Sequence, residues 1–269
     1  MNSTITELDA FQGRKAALEQ IGRFHIYSPM FYRPTVYFHS LKVACLITKA
    51  APLIEQFFDK SFDTTKAITM ALVHDDAEII TGDVQAGHKA KMGRAVLQQV
   101  DLDEVDAINE LASQFPQEIH NYNYRSLLME VMHKNTLESQ VVKFFDRFDA
   151  LCESLHELYA GNSAFTINVS DAVLGKIDIP HDYYIKHFNK RHTHYPLLQV
   201  LVSETAPFLE KYMLPPATEL VRGGKLHTAE TLYKNTGNEV YDWWKMALRT
   251  YLDKEYIERL YIKKENILE

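Results

Sequence analysis

Adjacent imidazole and carboxylate side chains, His74 and Asp75, interrupt an otherwise apolar run over 67–80. Both are costly to bury unless they are paired or hold a metal. His39 lies upstream on another helical segment, and Asp149 lies downstream on a third. Two imidazoles and two carboxylates form a mixed donor set suited to a divalent transition metal, whether Co, Mn, Ni, Fe or Zn, with Mg also allowed. An ion with an open position polarises a phosphate oxygen or activates water. Glu78 follows His74 by four residues and Asp75 by three, which places it on the same side of a helix. There it could orient or deprotonate a water, or protonate a leaving group. Asp83, just beyond the expected helix end, is within reach of the mouth of the same pocket.

Each residue also has a plainer reading. His74 alone would be a hydrogen-bonded core histidine, and His39 alone a solvent-facing one. The neighbouring Asp76 weakens the first reading, because three successive polar residues in a core helix need partners. Asp149 could pair with Arg147, and Asp146, three residues earlier, competes with it as a ligand.

The elements that must position these residues read as helices nearly throughout. Helical periodicity predicts helices over 7–24, from about 39 to 50, over 64–80 with Gly82 as its stop, over 89–100 and over 101–111. Pro116 could open a further helix running towards 134. The segment 137–159 has the strongest helical pattern, with Val141, Phe144 or Phe145, Phe148, Leu151 or Cys152, Leu155 and Tyr159 recurring at helical spacing. No convincing strand pair is visible. The fold class expected is all-α, with one catalytic domain over 1–165 and a helical extension over 166–269 packed on it.

Composition narrows the function classes. A net charge of -7 and a pI near 5.9 argue against a nucleic-acid partner, which would call for a basic field. No stretch is apolar for long enough to span a membrane. The polar, acidic start of the chain is unlike a signal peptide, so a cytoplasmic location is the default expectation. Cys45 and Cys152 read as buried free thiols. His181, His187, His192 and His194 match no metal spacing and read as surface residues, and the segment 222–225 reads as a turn.

The stretches HSLKVA from His39, ALVHDDAEIITGD from Ala71 and FDALCESLHELYAGN from Phe148 occur in this order over about 21–165. This arrangement resembles the HD-domain superfamily of metal-dependent phosphohydrolases. It is closest to the bacterial 5'-deoxynucleotidases and their oxetanocin-like relatives. The resemblance implies an HD-domain helical bundle and makes His39, His74, Asp75 and Asp149 the metal ligands. It makes Glu78 the essential acidic residue and sets Asp83 near the substrate sugar. Arg23 becomes a phosphate clamp, Phe24 a sugar or base wall, and Lys89 a further neutraliser of phosphate. The chain departs from that branch at Phe38, where a glutamate is usual, and at Phe24, where a tryptophan is usual.

The activity so implied is metal-dependent hydrolysis of a phosphomonoester, with a (deoxy)nucleoside 5'-monophosphate as the small-molecule partner. An alternative within the superfamily is a triphosphate or diphosphate-bond hydrolase, which would want extra cations such as Arg33, Lys42 or Arg94. A non-enzyme alternative is a helical interaction module using the aromatics Tyr241, Trp243, Trp244, Tyr251, Tyr256 and Tyr261, although core packing is their plainer role. The C-terminal extension could cover the pocket, add specificity or build a homodimer interface.

Overall fold

The structure, a computed structural model, describes residues 1–25, 33–58, 62–83, 93–159 and 239–251. Described elements are α1 (Asn2–Leu8), α2 (Arg14–Gln20), α3 (Val36–Phe58), α4 (Thr64–Val73), α5 (Glu78–Thr81) and α6 (Arg94–Gln114). They continue with β1 (Glu118–Ile119), β2 (Tyr122–Asn123), α7 (Tyr124–His133), α8 (Leu137–Tyr159) and α9 (Glu239–Tyr251). The architecture is all-α apart from the small antiparallel hairpin, in which Glu118 faces Asn123 and Ile119 faces Tyr122. That hairpin stands where a helix opening at Pro116 was expected. His120 and Asn121 turn it with φ of 52° and 66°, a conformation asparagine tolerates better than most residues. Among the described residues, no helix is long and apolar enough to cross a membrane.

Two compact units divide the chain. One comprises Met1–His25 and Arg33–Asp146, the other Ile26–Tyr32 and Arg147–Glu269. In the first, α3 packs along α4, α2 packs on α3 and α5, and α7 packs on α4 and α6. The core takes Val43, Leu46, Ile47 and Ile54 from α3 and Met70, Leu72 and Val73 from α4, all essentially solvent-free. Asp63 caps α4 by accepting from the Lys66 amide at 2.9 Å, and Asn123 caps α7 by accepting from the Ser126 amide at 2.9 Å, each relieving one orphan donor of a helix start. Of the second unit, Trp244, Ala247 and Leu248 on α9 are buried, and the His156 and Trp244 rings lie 5.4 Å apart. Core packing is thus the role of Trp244, whereas Tyr256 and Tyr261 lie outside the described residues. Both cysteines are buried, and Cys45 is a free thiol.

Several boundaries differ from the sequence reading. The segment expected as one helix over 7–24 is two, because Gly13 takes φ 80° between α1 and α2. The break expected inside 89–111 is absent, and α6 runs unbroken over Arg94–Gln114. The α8 boundaries, Leu137–Tyr159, are those the periodicity predicts.

The consequential difference lies at His74. The helix expected over 64–80 ends at Val73, and four residues then turn before α5. Here the amides of Asp76, Glu78, Ile79 and Ile80 each bond the carbonyl three residues back. That is the tighter 3₁₀ pattern, in which side chains at i and i+3 eclipse. It brings Asp75 and Glu78 into line on one face. Gly82 ends α5 at φ 72°, ψ 167°, a region essentially closed to other residues, and hands the chain on to Asp83.

Candidate metal centre

Four side chains from two helices and one interhelical turn converge in the first unit. His39 comes from α3, His74 and Asp75 from the turn after α4, and Asp146 from α8. Each offers one donor atom, and all four atoms lie within 4.8 Å of one another. His39 Nε2 lies 3.1 Å from Asp146 Oδ1 and 3.5 Å from Asp75 Oδ2. His74 Nε2 lies 3.3 Å from Asp75 Oδ2 and 4.0 Å from Asp146 Oδ1.

The hydrogen bonding of His74 argues that this set fits a cation. Its Nδ1 sits 2.7 Å from the Ala71 carbonyl, which can only accept, so Nδ1 carries the proton. Burial pushes the His74 pKa down to about 4, against the pull of Asp75, so near neutrality Nε2 carries a bare lone pair. That atom is buried with no hydrogen-bond partner and faces carboxylate oxygens that are themselves acceptors. Converging lone pairs are unfavourable until a positive ion sits among them, and a buried polar atom without a partner signals a missing ligand. A carbonyl that fixes the tautomer of a ligating histidine through its other ring nitrogen is a common feature of metal sites.

The carboxylate of α8 that joins this cluster is Asp146, whereas the sequence pointed to Asp149. Asp149 stands three residues further along α8, buried, and its Oδ1 accepts from Trp244 Nε1 at 2.7 Å. Asp146 joins the histidines instead. Both residues satisfy the spacing from His74, and they lie one turn apart on α8. Asp149 lies on the buried stripe of α8, while the half-buried positions 143, 146, 147 and 150 form the neighbouring stripe. A ligand at a cavity edge belongs on the second stripe.

Two cations accompany the carboxylates. Arg23 Nη1 reaches Asp75 Oδ2 at 3.1 Å, and Nη2 lies 3.7 Å from Asp146 Oδ1. Burial opposes the Arg23 charge, but Asp75, Asp146, Glu78 and Asp83 outweigh it and hold the guanidinium firmly protonated. Lys143 Nζ lies 3.2 Å from Asp146 Oδ2 and 3.7 Å from Asp75 Oδ1. Its on-helix spacing from Asp146 was the one signal available in sequence. Although burial disfavours their charge, Asp75 is held below the usual carboxylate range by His74 and Lys143, and Asp146 far below it by Lys143 and His39.

Arg23 is held in place by backbone. The Arg23 amide donates to the Pro34 carbonyl at 2.9 Å, and the Val36 amide to that of Ile21 at 3.0 Å. Arg33 Nη1 donates to the carbonyls of Arg23 and Phe24 at 2.8 and 2.9 Å. Under this strap Phe24 takes φ 58°, a strained conformation for a bulky residue. Of the extra cations weighed for a triphosphate, Arg33 is therefore engaged in the strap, Lys42 is buried in the core, and Arg94 is exposed. Lys89 lies outside the described residues.

His74, Asp75, Glu78 and Lys143 line one side of a cavity of about 460 Å³, and α6 supplies the opposite side with Val100, Asp103, Glu104, Ala107 and Glu110. Burial, reinforced by Asp75, pushes the Glu78 carboxyl well above the ordinary range, and its Oε2 is buried with no hydrogen-bond partner. Asp83 is half-buried, and its carboxyl is raised by burial despite the opposing pull of Arg23.

The chain is 28% identical over 129 residues to a 5'-deoxynucleotidase of Pectobacterium atrosepticum, covering 48% of this chain and 63% of the relative. It is 29% identical over 129 residues to one of Vibrio parahaemolyticus, covering 48% and 65%. The chain thus spans a little under two thirds of the length of these curated relatives. A conserved hypothetical protein from Pyrococcus furiosus shares the fold at TM-score 0.50 and 19% identity, over 73% of this chain and 98% of that one. The family model described as "5'-deoxynucleotidase YfbR-like" matches residues 11–194, more than half the chain, and the protein therefore belongs to the YfbR-like 5'-deoxynucleotidase family.

Proposed function

We propose that this protein is a metal-dependent phosphohydrolase that hydrolyses (deoxy)nucleoside 5'-monophosphates. The observation that carries the reading is the four-donor set of His39, His74, Asp75 and Asp146, opening beside Glu78 into a cavity large enough for a nucleotide. The names of the relatives support the substrate class. In this reading the 1–165 region carries the chemistry, and 166–269 is an accessory extension.

His39, His74, Asp75 and Asp146 would hold the divalent ion, which supplies Lewis acidity towards a phosphoryl oxygen. His74 binds through Nε2 because its Nδ1 proton is committed to Ala71. Arg23, strapped in place by Arg33, offers a rigid planar fork to the remaining phosphoryl oxygens. Glu78, whose carboxyl is raised by burial and by Asp75, would give its proton to the leaving ester oxygen as a water forms the new bond to phosphorus. Phe24 packs against the sugar or base, and Asp83 accepts from a sugar hydroxyl.

A monophosphate fits this cavity better than a triphosphate. The α6 side carries Asp103, Glu104 and Glu110, which would repel a polyphosphate chain. The test is phosphate release by metal-stripped protein with Mn, Co, Ni, Fe, Zn or Mg restored singly. Nucleoside mono-, di- and triphosphates, ribo and deoxy, serve as substrates. Metal-restored release of phosphate from monophosphates is expected. Pyrophosphate or triphosphate release with monophosphates untouched would move the assignment to a triphosphate hydrolase.

A further inference from the structure

The carboxylates of Asp75 and Asp146 are each used on both sides. Asp75 Oδ2 and Asp146 Oδ1 face the imidazoles and Arg23. The other two oxygens, Asp75 Oδ1 and Asp146 Oδ2, share the ammonium of Lys143. Lys143 therefore lies outside the donor cluster while lining the cavity beside Glu78. Glu104, across the cavity on α6, adds to the field that keeps it charged.

We propose that Lys143 is a phosphate-binding residue of this site, meeting the phosphoryl group from the cavity side, opposite Arg23. This rests on the phosphohydrolase reading. The charge balance supports it. Two carboxylates and two cations, Arg23 and Lys143, leave the cluster neutral. A divalent ion among the inner donors raises it to plus two, the charge that a phosphomonoester dianion cancels. With an ion held there, Asp75 and Asp146 would be neutralised from the donor side. The Lys143 ammonium, on a flexible stem and only 3.2 and 3.7 Å from its carboxylates, can then turn to a phosphoryl oxygen without leaving an unpaired buried charge.

The test uses the full chain loaded with Co(II), whose visible absorption reports both metal binding and the arrival of inorganic phosphate. Lys143→Met should bind Co(II) at least as tightly as wild type, because a neighbouring positive charge is gone. It should bind phosphate weaker by on the order of tenfold, the scale of one charge-assisted hydrogen bond. Lys143→Arg should recover most of that affinity, and KM for a nucleoside monophosphate should move in parallel. Should the methionine variant not fold, Lys143→Gln gives the same readout. Unchanged phosphate affinity in Lys143→Met overturns the proposal. So does loss of Co(II) together with phosphate, which would make Lys143 a support for the ligands only, and so does a Co(II)-loaded wild type that phosphate does not perturb. If wild type binds phosphate through Lys143 but releases none from any nucleotide, the nucleotidase reading fails while the Lys143 assignment stands.

Discussion

Glu78 and His74 carry charge states that sequence could not give them. Burial, reinforced by Asp75, raises the Glu78 carboxyl well above the ordinary range. Glu78→Gln keeps the shape and removes the transferable proton, so kcat should fall by roughly 10²–10⁴-fold, the usual worth of general acid catalysis. Metal content, measured by elemental analysis, should stay at the wild-type level, and full activity would remove Glu78 from the mechanism. His74 makes a separate, pH-dependent contribution. Its pKa is about 4 when folded against 6.5 unfolded. Between those values the unfolded chain holds a proton that the folded chain lacks, so stability falls as pH falls from about 6.5 to about 4. The shift corresponds to on the order of 3 kcal/mol, absent below the folded value. Melting curves of metal-stripped protein between pH 4 and 7 should show this slope, and His74→Gln should flatten it.

At the scale of elements, the turn after α4 is anchored by a buried network. Arg14 on α2 donates to Asp76 Oδ2 through Nε at 2.7 Å and to Oδ1 through Nη2 at 2.6 Å. The Tyr124 hydroxyl on α7 adds a bond to Asp76 Oδ2 at 2.9 Å. Asp76 is therefore the member of the polar triplet that answers to structure, while its neighbours His74 and Asp75 face the donor cluster. Removing Arg14 by substitution to alanine would strand a buried carboxylate, at a cost of about 3–5 kcal/mol in urea unfolding. Tyr124→Phe removes one hydrogen bond to a charged group and should cost about 1.5–3 kcal/mol. The two effects should not add, because both act on one carboxylate. The sequence showed the apolar run, the three polar residues and the Gly82 stop. It could not show that the helix tightens at His74, because α and 3₁₀ geometry share the same residue pattern over a single turn.

For the whole molecule, the cavity wall on α6 bears on substrate choice. Asp103, Glu104 and Glu110 face a site whose described cations are Arg23 and Lys143. Neutralising the wall with Asp103→Asn and Glu104→Gln together should tighten nucleoside triphosphate binding by on the order of tenfold. It should leave monophosphate turnover nearly unchanged, because the repelled charges are those beyond the first phosphate. The effect should shrink as ionic strength rises, since these wall residues are largely solvent-exposed and screened. Competition by triphosphate against monophosphate hydrolysis at low and high salt would measure it, and equal inhibition by both enzymes would discard the wall as a selector.

Sequence by itself determined the helical class and the helix over 137–159, and it singled out His39, His74 and Asp75, whose side chains converge in the structure. These follow from local rules, namely apolar periodicity and the cost of placing polar groups in an apolar run. Tertiary structure alone decided where the two carboxylates of α8 lie. Asp146 and Asp149 are one turn apart on α8, and only the packing of that helix shows that Asp146 faces His39 while Asp149 accepts from Trp244. It also decided that Lys143 lines the cavity and that Arg33 straps the backbone of Arg23 and Phe24. These choices depend on helix rotation and on contacts between residues distant in the chain, which a pattern of residue types does not encode.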